Sequence, residues 1–283
     1  MGLADLGRRP VSIGIKSRRQ DLKISFYCVL PARRGLRHPA GRAKLAPMTD
    51  LVSRKSLTSS RPGEFSGIDT WVFDLDNTLY PVTETLLRHI DEHMGKFVAY
   101  FLNVDAEEAR RVQKAYFRKY GLTLRGLMIH HGLDPARFFE EMTPMDLTQV
   151  DPNPVLGEAI RRLPGRKIIY TNASAHHAKM VLDRLQMTDV FEAIYDIAAA
   201  EYLPKPTKEP YETLCALYAI DPKRAVMIDD IARNLEPAAS LGMTTVWMQT
   251  GAEWARDVEP EAHIDHVVGD ILSWVEEIAQ SSR

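Results

Sequence analysis

Two pairs of carboxylates are the residues of this chain best placed to do chemistry. Asp74 and Asp76, separated by Leu75, follow the apolar run TWVF at 70–73, and Asp229 and Asp230 follow the apolar run AVMI at 225–228. Carboxylates this close repel one another, so they call for a cation, a shared proton or hydrogen-bond donors. An isolated D-x-D reads equally as an acidic turn or a helix cap, and Asp229-Asp230 alone reads equally as a strand-to-helix turn capped by Asp230. Both pairs, however, end runs that have no solvated face, and together they would gather four carboxylates at one sheet edge. Such a hard-oxygen site suits Mg²⁺, which takes few protein carboxylates together with water and substrate phosphate. Between the pairs lie a hydroxyl and a cation. Thr171-Asn172-Ala173-Ser174 ends the run KIIY, and its hydroxyl, amide and backbone N–H groups at a helix start suit a phosphate, although Thr171 also serves as an ordinary cap. Lys205, between Pro204 and Pro206, is either a solvated charge or the positive charge that clustered acids and a phosphate require.

The elements that must position these residues alternate. Short apolar runs predict strands at 70–75, 167–170, 193–197, 225–228 and 244–247, with a weaker one at 266–268; runs this short with no polar face suit buried parallel strands. Helical patterns lie between the later strands at 176–185, 210–218 and 234–241, and alternating βαβ units call for a parallel sheet with helices on both faces. The first strand is separated from the rest by residues 81–151, which are helical in pattern. Apolar residues Leu86, Leu87, Ile90, Met94, Phe97, Val98 and Phe101 predict one helix over 82–103. Asp105, followed by Glu107 and Glu108, caps a second helix through Tyr120, and a third pattern over 124–142 breaks at His131-Gly132. An insert longer than a plain crossover predicts a separate cap, 81–151, on a core made of 68–80 and 152–283.

At 45% hydrophobic and 26% charged residues, the chain falls among globular proteins, and no apolar run approaches the roughly 20 residues of a membrane span. Two distant cysteines, Cys28 and Cys215, predict neither a disulfide framework nor a zinc site, and a reducing cytoplasmic setting fits them. The net charge of -2 conceals a basic segment, 1–47, with eleven Lys and Arg against Asp5 and Asp21. That segment reads as a nucleic-acid or membrane arm, as an Arg-rich transit peptide, or as sequence preceding a true start at Met48. The acidic remainder argues against a nucleic-acid binder, because phosphate-backbone affinity needs clustered Lys and Arg.

Four segments in order resemble the haloacid dehalogenase superfamily: FDLDNTLYP (73–81), IIYTNAS (168–174), KPTKEPY (205–211) and MIDD (227–230), with the likeness spanning 68–269. The resemblance implies an α/β fold, a Rossmann-like parallel-sheet core with an inserted all-helical cap. It implies Mg²⁺-dependent hydrolysis of a phosphomonoester, with Asp74 as nucleophile and Asp76 as general acid and base. Thr171 and Asn172 would meet the phosphate, as would Lys205, with Lys208 as a less well-aligned substitute. Mg²⁺ would be held by Asp74, the Asp76 carbonyl and Asp229, with Asp230 through water. A threonine at position 76 would preserve the phosphoenzyme and the dehalogenases lack an acid there, so Asp76 favours phosphate-ester turnover. Within the superfamily, NTLYP together with Tyr120-Gly121, Arg125-Gly126-Leu127 and His130 looks like the pyrimidine 5′-nucleotidase branch, which implies UMP or CMP as substrate and Tyr120, Arg125 and His130 as substrate-selecting cap residues. The competing expectations are a phosphatase for a sugar phosphate or other small metabolite, and, in a different class, a receiver-like phospho-aspartate switch. The partner expected in the first two cases is a small phosphorylated metabolite, with no nucleic acid and no membrane.

Overall fold

The computed structural model describes residues 65–142, 146–250 and 262–281; the basic segment 1–47 and its three readings lie outside them. Its centre is strand β1 (Thr70–Phe73), buried along its whole length. Side chains alternate across a strand, and here Trp71 and Phe73 enter the core on one face of the sheet while Val72 enters the core on the other. Only a strand covered on both faces tolerates such a run, and β1 is flanked on both edges too. It pairs in parallel with β2 (Arg166–Tyr170), Thr70 opposite Arg166, and with β4 (Ala225–Asp229), Thr70 opposite Ala225. With β3 (Ala193–Tyr195), β5 (Thr244–Met248) and β6 (His266–Val268) the sheet has the order β3-β2-β1-β4-β5-β6, all parallel. The strand order reverses between β1 and β4, which is where ligands gather in a doubly wound sheet.

Helices α5 (Pro154–Arg162), α6 (Ala175–Arg184) and α9 (Ile271–Ser281) cover one face through Leu156, Ile160, Val181, Trp274 and Val275. Helices α7 (Lys208–Leu217) and α8 (Leu235–Leu241) cover the other through Tyr211, Leu214, Leu235 and Ala238. Each large apolar side chain so buried contributes about 1.5–3 kcal/mol relative to exposure. Both α5 and α9 are additional to the helices named from the sequence above. Strand β3 is two residues shorter than predicted. After Tyr195 the chain turns, because Asp196 accepts from the backbone N–H groups of Ala175 and Ala199, and Ile197 N donates to the Ala173 carbonyl.

Between β1 and α5 run α1 (Glu84–Leu102), α2 (Ala106–Tyr120), α3 (Thr123–His131) and α4 (Pro135–Met142). The Asp105 cap is as predicted, and Thr83 and Gly121 are further caps. Thr83 accepts from Leu86 N at the start of α1, Asp105 accepts from Glu108 N at the start of α2, and Gly121 ends α2 in the left-handed region that a glycine adopts without strain. These helices bury a cluster of their own, including Phe97, Val98, Leu124, Leu127 and Phe138, separate from the two that sandwich the sheet.

Candidate active site

The carboxyl ends of β1, β2 and β4 bring the predicted core residues together. Asp74 continues the ladder past β1, its N–H donating to the Ile228 carbonyl at 2.8 Å. Its carboxylate is buried and takes two side-chain bonds, from Lys205 Nζ at 2.7 Å and from the Thr78 hydroxyl at 3.1 Å. Lys205, also buried, divides its three donors among Asp74, Asp229 Oδ2 at 2.7 Å and the Tyr170 carbonyl at 3.0 Å. Asp229 is fixed from its other oxygen by Ile231 N and Asn234 Nδ2, both at 2.9 Å. Asp230 accepts from Asn77 Nδ2 at 2.6 Å. Asn77 also donates to Thr250, and its left-handed backbone, with φ 64°, marks the tight turn that folds the chain back beneath Asp74.

Asp74, Asp229 and Asp230 each offer a carboxylate oxygen within 4.8 Å of the others. Burial raises the Asp74 carboxyl well above its ordinary range, Lys205 opposing this and the neighbouring carboxylates adding to it. Burial and the charge of Asp229 likewise push Asp230 up to about 7. One ammonium therefore does not balance three buried acids. The donor set fits a hard divalent cation, whose charge would reverse both shifts.

Asp76 stands apart from this cluster. Burial alone would raise its carboxyl, but the bond and charge of His177, together with the Tyr80 hydroxyl, hold it below the ordinary value. Tyr80 Oη lies 2.5 Å and His177 Nε2 3.0 Å from the same oxygen, Oδ1. Thr171 is buried at the end of β2, its hydroxyl oxygen accepting from Ala173 N at 3.0 Å, and Asn172 Oδ1 accepts from Lys205 N at 2.9 Å. Lys208, by contrast, pairs with Glu212 on the surface.

A cavity of about 370 Å³ opens on these strand ends. Asp76, Asn77, Asn172, Ser174 and Asp230 line its floor, with His177 beside them, and Leu87, Met94, Leu124, Phe138 and Phe139 line the opposite wall. Tyr120, Arg125 and His130 are not among the residues that line this cavity. Tyr120 Oη and His130 Nε2 meet each other at 2.5 Å on an exposed surface. Arg125 donates to the Glu201 carbonyl at 3.5 Å. The wall of the cavity instead carries Thr123 and Leu124, from the buried face of α3. Sequence reasoning missed Tyr80, four residues after Asp76, and His177, in the first turn of α6.

A doubly wound parallel sheet with four acids and a buried lysine at its switch point defines an α/β protein whose site lies at the carboxyl ends of its strands. Residues 68–242 match the haloacid dehalogenase-like hydrolases, and the chain belongs to that family. It is 28% identical over 188 residues to phosphate metabolism protein 8 of Saccharomyces cerevisiae, covering 60% of this chain and 58% of that one. It is 27% identical over 94 residues to glyceraldehyde 3-phosphate phosphatase of Pyrococcus furiosus, covering 33% and 39%. The chain thus spans less than two thirds of the length of these curated relatives. The fold is shared with a HAD phosphatase from Thermococcus onnurineus, with a TM-score of 0.51 and 17% identity over 72% of this chain and 94% of that one.

Proposed function

We propose that the chain is a Mg²⁺-dependent phosphomonoester hydrolase whose helices α1–α4 form a cap over the active site. The observation that carries this reading is a pair of carboxylates two residues apart in different settings: Asp74 is locked to Lys205, and Asp76 opens on the cavity. In this reading Asp74 attacks phosphorus in line, the ester P–O bond breaks as the aspartyl-phosphate forms, and Asp76 gives the leaving oxygen its proton. Water then attacks phosphorus, Asp76 takes a proton from it, and Asp74 is freed as a carboxylate alongside inorganic phosphate. The proton that Asp76 first gives arrives with the substrate, since a phosphate monoester loses its second proton only near pH 6.

Asp74, Asp229 and Asp230, with the Asp76 carbonyl, would hold Mg²⁺, which supplies positive charge against the phosphate oxygens when bound. Lys205 offsets the charge of Asp74 and keeps it aimed. The Thr171 hydroxyl, whose oxygen already accepts from Ala173 N, keeps its proton for a phosphate oxygen. Asn172, accepting from Lys205 N through its oxygen, keeps its amide N–H groups.

The leaving group we propose is the nucleoside of a pyrimidine nucleotide such as UMP or CMP. An apolar wall carrying Phe138 and Phe139, in a cavity of about 370 Å³, suits a planar base, and cavities of this size hold whole small-molecule ligands. A second reading, a small sugar phosphate, rests on the relative named for glyceraldehyde 3-phosphate. Phosphate release from UMP, CMP, AMP, glyceraldehyde 3-phosphate and an aryl phosphate, each with and without Mg²⁺, ranks the readings by kcat/KM. Release from none of them, or a single stoichiometric phosphorylation without turnover, would sink the hydrolase reading.

A further inference from the structure

Two side chains from different parts of the fold converge on one oxygen of Asp76. Tyr80 Oη donates to Oδ1 at 2.5 Å and His177 Nε2 contacts Oδ1 at 3.0 Å, while Oδ2 takes no side-chain or backbone donor among the described residues. Tyr80 is buried, and its hydroxyl is held protonated first by that burial and then by the charge of Asp76. His177 is itself fixed by its backbone, whose N–H donates to Ser174 Oγ at 3.2 Å in the first turn of α6. Both side chains, with Asp76, line the cavity. A carboxylate on a free side chain turns about its last torsion and presents either oxygen. Two donors at one oxygen remove that freedom.

We propose that Tyr80 and His177 form a two-point clamp on Asp76 Oδ1 that turns Oδ2 toward the leaving group, which makes His177 a positioning residue for proton transfer. The proposal rests on the phosphomonoesterase reading. In the first half-reaction Oδ2–H passes its proton to the ester oxygen as the P–O bond breaks and the Asp74–phosphorus bond forms. In the second, Oδ2 accepts a proton from the attacking water as the Asp74–phosphorus bond breaks. A misoriented carboxyl impairs both transfers without touching phosphate binding.

The distinguishing measurement is kcat/KM for two esters with Mg²⁺: an alkyl phosphate, whose leaving oxygen needs the proton, and a nitrophenyl phosphate, whose leaving oxygen departs without it. His177→Leu should lower kcat/KM for the alkyl ester by about tenfold, part of the 10²- to 10⁴-fold that proton transfer supplies, and for the nitrophenyl ester by less than about threefold. His177→Gln, which keeps a donor at similar reach, should recover most of the loss. Tyr80→Phe should show the same split and carries the test if His177→Leu does not fold. Equal losses for both esters, or a Gln variant as poor as the Leu variant, would mean that His177 supports the fold alone and would overturn the clamp. If the unaltered protein releases phosphate from neither ester, the phosphomonoesterase reading fails, and the clamp fails with it.

Discussion

The Lys205 ammonium touches Asp74 and Asp229 at the same distance, 2.7 Å, and so ties the ends of β1 and β4 with one cation. Removing one member of a buried pair ordinarily leaves a charge uncompensated, but with Asp74 made neutral the ammonium keeps Asp229 as its counter-charge. Asp74→Asn keeps shape and hydrogen bonding but has no nucleophilic oxygen of adequate strength. It should lower kcat by more than about a hundredfold while leaving the circular dichroism and melting curves close to those of the unaltered protein. Residual turnover above that level would reassign the nucleophile. Asp74, Asp76, Asp229 and Asp230 stood out in the sequence because each pair follows an apolar run with no solvated face, and Lys205 because clustered acids call for a cation. Tyr80 and His177 were not. His177 meets Asp76 from 101 residues away, and nothing local in a histidine two residues inside a capped helix says which carboxylate it will face.

At the scale of elements, helices α1 to α4 were legible in outline from periodicity and the Asp105 cap, but the face each one presents was not. Helix α3 buries Thr123, Leu124, Gly126 and Leu127, and this choice is set by α2. A Cβ at Gly126 would run into Tyr116, so the glycine within Arg125-Gly126-Leu127 serves close helix packing. The same packing directs Arg125 to the Glu201 carbonyl rather than the cavity. Arg125→Ala should therefore change kcat/KM for UMP by less than about threefold, and Phe139→Ala should raise KM for UMP by about three- to tenfold, the worth of one aromatic contact, with little effect on a small aryl phosphate. Michaelis parameters for the two variants on both substrates decide between the positions. A large loss confined to Arg125→Ala would return selection to that residue. Among the core helices, α9 carries Ile271, Trp274, Val275 and Ile278 at full helical spacing, whereas α5 is announced chiefly by its Asn153 cap and Pro154.

Across the whole molecule, the buried acids at the strand ends couple stability to pH, and to Mg²⁺ if they hold it as proposed. Asp230, raised to about 7, contributes stability that is complete below the unfolded value of about 4 and is lost as pH rises through 7. In the proposed reading, protons and Mg²⁺ compete for the same carboxylates. Saturating Mg²⁺ should therefore raise Tm by several degrees at pH 8 and by much less at pH 5. Equal shifts at the two pH values would place the metal elsewhere. The parallel sheet and its alternating helices were legible from the apolar runs. The strand order was not, because register and neighbours depend on contacts distant in sequence. That order also bears on how the chain reaches its native state. Residue Thr70 of β1 has Arg166 on one side and Ala225 on the other, so both partners of the central strand are synthesised long after it, and each pairing closes a long loop before it is rewarded. Helices α1, α2 and α3 pack on neighbours adjacent in sequence and face no such delay. Pulse-labelled hydrogen exchange should find amides of α2 and α3 protected before those of β1, and the reverse order would refute this. The strand leading to Asp74 is then among the last to be fixed, and a nascent chain that has not yet released β4 from the ribosome holds all of helices α1 to α4 but still lacks the strand that carries Asp229.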